Sequence, residues 1–205
     1  TLADTAPDLA AAVNKMRIDR GMALTPLEQL RPLASAGARG LIGVAFGVTP
    51  ADSSFSELRA EFLANYAANI DDRTVLFDGI PELLQAIDQC GLRWGVVTNK
   101  PSLYTDALLP LIGLQHAACA VSGDTTPHPK PHPAPLYEAC RQLALSPGDC
   151  WYVGDDLRDI EAGRAAGMPT IAAGWGYCGH SEPASWQADL IAELPTDIRK
   201  LLNMP

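Results

Sequence analysis

No block of lysine and arginine, no C-x-x-C pair, no internal repeat and no low-complexity tract occurs in this chain. No apolar run approaches the ~18 residues that a membrane-spanning helix needs. Each absence removes a class of function. With 15 Lys and Arg against 24 Asp and Glu, the formal charge of −9 argues against nucleic acid and against an anionic membrane as partners. The five cysteines, at 90, 119, 140, 150 and 178, are odd in number and fall mostly in apolar segments. They read as reduced, buried thiols, not as a disulfide frame, a zinc site or a nucleophile. With no secretory leader pattern, the expected location is cytoplasmic. What is there is 205 residues, 47% hydrophobic and 19% charged, enough for one good core and a smaller lobe. Oligomeric state leaves no signature.

Two grammars divide the chain. Up to about residue 70 the pattern is helical. Thr5 and Pro7 suggest a cap-then-proline helix entry, with Leu9, Val13, Met16 and Met22 as its apolar stripe. Ser54 and Glu57 stand in capping-box spacing before Leu58, Phe62, Leu63 and Tyr66. An all-helical lobe over residues 8–78 is expected. After Gly79 helices and strands alternate. Helices are expected at 81–89, at 101–113 with Leu103, Ala107, Leu108 and Leu111 inward, at 134–144, from 160 to Ala166, and at 196–202. Strands are expected at 93–97, 117–121, 151–153 and 169–173. The prolines at 127, 129, 131 and 133 fix φ and remove donors, so the stretch around them is a stiff extended connection. The fold class is therefore α/β, a Rossmann-like doubly wound parallel sheet with a helical lobe near the N-terminus.

Polar residues gather at the carboxyl ends of three expected strands, the edge where open α/β sheets bind ligands. The first offers Thr98 and Asn99 with main-chain N–H groups opening a helix, a natural anion seat. The second is followed by Lys130, a compact positive charge between prolines. The third offers Asp155, Asp156 and Asp159. Carboxylates crowded there repel one another, and a hard divalent cation such as Mg²⁺ relieves this. Singly, each has a plainer reading: Thr98 as a helix cap, Lys130 as solvated surface, the acids as helix-entry residues. Together, a hydroxyl, a lysine and metal-binding carboxylates on consecutive strand ends suit phosphoryl transfer.

On these residues the chain resembles the haloacid dehalogenase superfamily, in its phosphatase branch close to phosphoglycolate phosphatases. Val97-Thr98-Asn99-Lys100 matches its second motif, Lys130 in His128-Pro129-Lys130-Pro131 its third, and Gly154-Asp155-Asp156-Leu157-Arg158-Asp159 its fourth. The resemblance implies phosphate binding by Thr98, Asn99 and Lys130, with Lys130 and Thr98 catalytic, and Mg²⁺ held by Asp155 and Asp159. It also implies that the helical lobe is a cap inserted into a core of residues 1–7 and 79–205, and that a first-motif strand carrying the nucleophilic and acid/base aspartates lies upstream of Thr1, because Thr1-Leu2 looks like the tail of Asp-x-Asp-Gly-Thr-Leu. A chain truly starting at Thr1 is expected to be inactive, with a gap in its sheet. Arg39, in the small-residue run Ser35-Ala36-Gly37-Ala38-Arg39, is a candidate for pairing with a substrate carboxylate. The expected partner is a small anionic phosphate ester such as 2-phosphoglycolate. The cap run and Trp175-Gly176-Tyr177-Cys178-Gly179 also resemble the branch that includes N-acetylmuramic acid 6-phosphate phosphatases. The rivals are a phosphoaccepting receiver domain, whose acidic pair comes first along the chain, and a dehalogenase proper, which does not need the metal carboxylates. A third rival is a non-catalytic binding protein on the same fold. His128 and His132 bracket Lys130 and raise a transition metal as a further possibility.

Overall fold

A computed structural model describes residues 1–179 and 181–202. The chain forms two compact units, Thr1–Leu2 with Leu76–Pro205, and Ala3–Val75.

The Ala3–Val75 unit is helical apart from β1 (Ala3–Asp4). It comprises α1 (Ala6–Asp19), α2 (Leu27–Leu30), a 3₁₀ turn at Arg31–Ala36, α3 (Gly37–Phe46) and α4 (Phe55–Ala68). Val13, Met16, Leu30, Leu41, Ile42, Phe62 and Tyr66 form its core. Three local expectations are corrected. Thr5 makes no side-chain cap on α1. Met22 lies beyond the helix and is exposed. Ser54 likewise does not cap α4, because its backbone is already helical and an N-cap side chain works from extended φ/ψ. The turn before α4 closes on Asp52 instead, whose Oδ2 accepts from Thr49 N and Oγ1 at 2.7 and 2.8 Å.

Beyond the two-residue β2 (Val75–Leu76), the larger unit alternates helix and strand. Its elements are α5 (Ile80–Gln89), β3 (Val96–Val97), α6 (Ser102–Leu111), β4 (Ala120–Val121), α7 (Ala134–Leu143) and β5 (Tyr152–Gly154). Then follow α8 (Leu157–Ala166), β6 (Thr170–Ala173), β7 (Leu190–Ala192) and α9 (Pro195–Leu201). β3 pairs with β4, and β5–β6–β7 form a second group, every pair parallel. In register, Val97 faces Val121, Gly154 faces Ala172, and Ala173 faces Ala192. β6 is buried along its whole length, as a strand covered on both faces must be. One cover is the cluster of Ile80, Leu83, Leu84, Leu114, Ile171, Ala192 and Ile198, which joins α5 and α9 to the sheet. The other is Ile160 of α8 and Trp186, packed with Ala172, while Leu136 and Cys140 of α7 and Ala162 and Ala166 of α8 pack against Val97 and Tyr152.

The expected fold class is observed, with differences in detail. The strands are shorter than their apolar runs, β3 using only Val96 and Val97 of 93–97. β7 was not anticipated, because Leu190-Ile191-Ala192 is brief and lies between acidic residues. On α6 the buried face is Tyr104, Thr105 and Leu108, while Leu103 is 71% exposed and Leu111 57%. Thr105 tolerates this burial because its hydroxyl reaches the Pro101 carbonyl at 3.2 Å.

Candidate active site

The segments that follow β3, β4 and β5 carry the candidate residues. The last residue of β5 is Gly154, followed at once by Asp155 and Asp156 and by α8. Of the three acids here, Asp156 takes the plain role. It is the N-cap of α8, accepting from Arg158 N at 3.0 Å, and its carboxylate also pairs with the Arg158 guanidinium at 2.7 Å. Asp155 and Asp159 point elsewhere and are 5% and 6% exposed.

Asp159 lies in the first turn of α8, and its Oδ1 meets Lys130 Nζ at 2.7 Å. Among the described residues, none donates a hydrogen bond to its Oδ2. Asp155 accepts the Thr1 hydroxyl on Oδ1 and the Tyr177 N–H at 2.8 Å on Oδ2. Burial pushes the Asp155 carboxyl up, and the Thr1 hydroxyl and the Tyr177 N–H pull it down. Two glycines let main chain press on these acids. A Cβ at Gly154 would run into Asp159 Cβ, and one at Gly176 into Asp155 Cβ. Gly176 and Tyr177 are therefore part of the site's frame, a role their sequence did not signal. Trp175 joins them, its indole N–H donating to Thr1 O at 2.9 Å.

Lys130 is 9% exposed. Its Nζ donates to Val97 O at 2.8 Å, to Tyr152 OH at 2.8 Å and to Asp159 Oδ1 at 2.7 Å. Burial works against the ammonium charge, yet Asp159 and then Tyr152 more than restore it, so its pKa is raised and it stays charged. Burial pushes the Tyr152 phenol up, with Lys130 opposing, so Tyr152 remains a neutral hydroxyl. The lysine backbone is fixed as firmly as its head. Asn99 Oδ1 accepts Lys130 N, and Asn99 Nδ2 donates to Lys130 O, both at 2.9 Å.

That clasp changes the reading of Asn99, whose side chain is engaged with the lysine loop. What it offers an anion is its main-chain N–H, which donates to none of the described residues. Thr98 Oγ1 accepts Lys100 N at 3.1 Å in a local turn, leaving its own proton for an acceptor. Across the β4 exit, Asp124 caps α6 through Ser102 N and Oγ at 2.8 and 3.0 Å. Arg39 is exposed on α3 of the Ala3–Val75 unit. His128 and His132 have ring centroids 4.7 Å apart, but His132 Nδ1 accepts Ala134 N.

Among the described residues, no group of three or more His, Cys, Asp or Glu gathers to hold a metal. The donor set at this edge is two buried carboxylates, one with an unengaged oxygen. This fits Mg²⁺, which keeps waters and substrate oxygens beside one or two protein carboxylates. It does not fit the four-ligand sites of structural zinc.

A family model of haloacid dehalogenase-like hydrolases matches residues 1–173. The chain belongs to that family. It is 45% identical over 200 residues to a phosphoglycolate phosphatase of Xanthomonas campestris pv. campestris, covering 97% of this chain and 90% of that protein. It is 40% identical over 206 residues to an N-acetylmuramic acid 6-phosphate phosphatase of Pseudomonas putida, covering 99% and 92%. The crystal structure of a predicted phosphoglycolate phosphatase from Haemophilus somnus superposes with a TM-score of 0.86 at 28% identity, covering 98% and 93%. Among the described residues no helix is long and apolar enough to cross a membrane.

Proposed function

We propose that this haloacid dehalogenase-like hydrolase is a Mg²⁺-dependent phosphomonoesterase acting on a small carboxylate-bearing phosphate ester, in the manner of a phosphoglycolate phosphatase. The observation that carries the reading is the buried Lys130–Asp159 pair, 2.7 Å apart, with Asp155 directly after β5 and Thr98 directly after β3. The Thr98 hydroxyl and the Asn99 N–H hold two phosphate oxygens, and Lys130 offsets the charge of a third. Asp155 and Asp159 would hold the metal, which neutralises charge on the phosphoryl group. An aspartate upstream of Thr1 attacks phosphorus, and the ester oxygen leaves with a proton from a second aspartate. Water then hydrolyses the aspartyl-phosphate and restores both groups. Arg39 is our candidate for recognising the substrate carboxylate, as a bidentate donor exposed on α3.

A second substrate, N-acetylmuramic acid 6-phosphate, is supported by the 40% identity to the Pseudomonas putida enzyme and also carries a carboxylate. Both esters are to be compared in one assay, beside a generic aryl phosphate, with and without chelator. The expected result is hydrolysis abolished by chelator and lowered on the order of 100-fold by Asp155→Asn. Chelator-resistant turnover would overturn the metal assignment. No turnover by folded protein that includes the segment upstream of Thr1 would leave a non-catalytic binding protein.

A further inference from the structure

The turn that leaves β6 is Gly174-Trp175-Gly176-Tyr177-Cys178-Gly179, half of it glycine, and glycine-rich chain keeps no fixed position without anchors. Yet this turn carries the main-chain donor that meets Asp155 Oδ2, the Tyr177 N–H at 2.8 Å. It reaches Asp155 from the β6 side. β5 and β6 pair directly, with Gly154 opposite Ala172, so no other strand comes between. Gly176, which has no Cβ, lies against the Asp155 side chain, so a small shift of the turn displaces the carboxylate. Main-chain bonds pin the turn on either side of Tyr177. Gly174 N donates to Ala192 O at 2.8 Å, and Cys178 N, at a φ of 54°, donates to Asp155 O at 3.0 Å. Between those pins Gly176 N reaches Ala173 O only at 3.3 Å. There the Tyr177 ring stands edge-on to Phe77, centroids 6.0 Å apart and planes at 67°, an arrangement that aromatic quadrupoles favour. Phe77 is the firmer partner. Its carbonyl accepts Ile80 N at 3.1 Å at the entrance of α5, and it packs against the cluster that includes Ile80, Leu83 and Ile171.

We propose that Tyr177 is a positioning residue for Asp155: its ring, seated on Phe77, holds the turn so that the Tyr177 N–H and the bare Gly176 set the plane of the carboxylate. A carboxylate free to rotate must be ordered before it can hold a cation, whereas one already bonded through an oxygen needs little further ordering. Mg²⁺ is exacting in ligand geometry, so the effect falls on the ion and not on the phosphate. The ring carries this role, not the hydroxyl. The inference rests on Asp155 being a Mg²⁺ ligand in the phosphatase reading.

The test titrates protein that includes the segment upstream of Thr1 with Mg²⁺ alone, the rise in melting temperature giving the half-saturating concentration. Tyr177→Ala and Phe77→Ala are each expected to raise that concentration about 10-fold. Together they should raise it no further, because each removes the same contact. Tyr177→Phe, which keeps the ring, should match wild type, and calorimetric affinity for inorganic phosphate without metal should be unchanged throughout. Phe77→Leu keeps apolar bulk without the ring, and carries the same expectation as Phe77→Ala if the smaller side chains prevent folding. Variants that lose stability in urea but keep the wild-type Mg²⁺ concentration make the pair mere packing and sink the proposal alone. So does a Tyr177→Phe loss equal to that of Tyr177→Ala, which assigns the effect to the hydroxyl. A wild type with no response to Mg²⁺ overturns the metal assignment, and the proposal with it.

Discussion

Asp8 and Asp159 occupy the same local position, an acid in the first turn of a helix, and both are buried, at 2% and 6% exposure. Their surroundings differ completely. Asp8, in the helical unit, accepts Arg73 N at 3.0 and 3.1 Å and Thr74 Oγ1 at 2.7 Å. All of its donors are neutral main-chain or hydroxyl groups, and they tie the segment after α4 back onto α1. Asp159 instead meets a buried ammonium on one oxygen and leaves the other unengaged among the described residues. A carboxylate ringed by neutral donors fastens two segments. One paired with a lysine beside open strand ends can exchange partners, which charge-handling chemistry needs.

Three substitutions probe that contrast. The largest effect is expected for Lys130→Met, which leaves the Asp159 carboxylate buried without its countercharge. Breaking one side of a buried ion pair costs about 3–5 kcal/mol, to be read from urea unfolding, and activity should fall with it. If stability hardly changes, Asp159 has another cation or is not charged, and the contrast with Asp8 collapses. Asp8→Ala comes next. It orphans the Arg73 N–H and leaves the Thr74 hydroxyl only its longer bond to Ile70 O at 3.4 Å, so a loss of about 1–3 kcal/mol is expected, with turnover per folded molecule unchanged. A specific fall in kcat would show that the helical unit's buried acid does more than fasten. Lys15→Ala sets the baseline. Its bond to Asp19 is an exposed i,i+4 pair, 2.6 Å long, and its removal should cost no more than about 0.5 kcal/mol in thermal melts, less in high salt.

Much of this was readable in advance because it is local. The change from helical period to strand–helix alternation near Gly79, the glycine-and-acid turn after β5, and the stiffness of the proline loop all follow from neighbouring residues. The run Gly154 to Asp159 foretold a strand, a turn and a helix entrance, and the structure has them there. It could not divide the labour among the acids. Asp156 caps the helix and holds Arg158, while Asp155 and Asp159 turn to partners distant in sequence. The misread cap at Ser54 and the shifted face of α6 have one cause. Spacing alone does not report whether a backbone is already helical, or whether a threonine such as Thr105 finds an acceptor that lets it be buried.

Sequence by itself determined the fold class, the acidic balance, and which polar residues stand at the ends of Val96–Val97, Ala120–Val121 and Tyr152–Gly154, since each depends on composition or on neighbours along the chain. Only the tertiary structure decided that Asn99 clasps the backbone of Lys130, that Tyr152 and Lys130 share the Val97 carbonyl, and that Gly176 and Tyr177 press on Asp155. Those contacts join residues 21 to 55 positions apart. Hydrogen bonds and close approaches across such separations depend on how parallel strands and their crossovers stack, which no short-range pattern encodes.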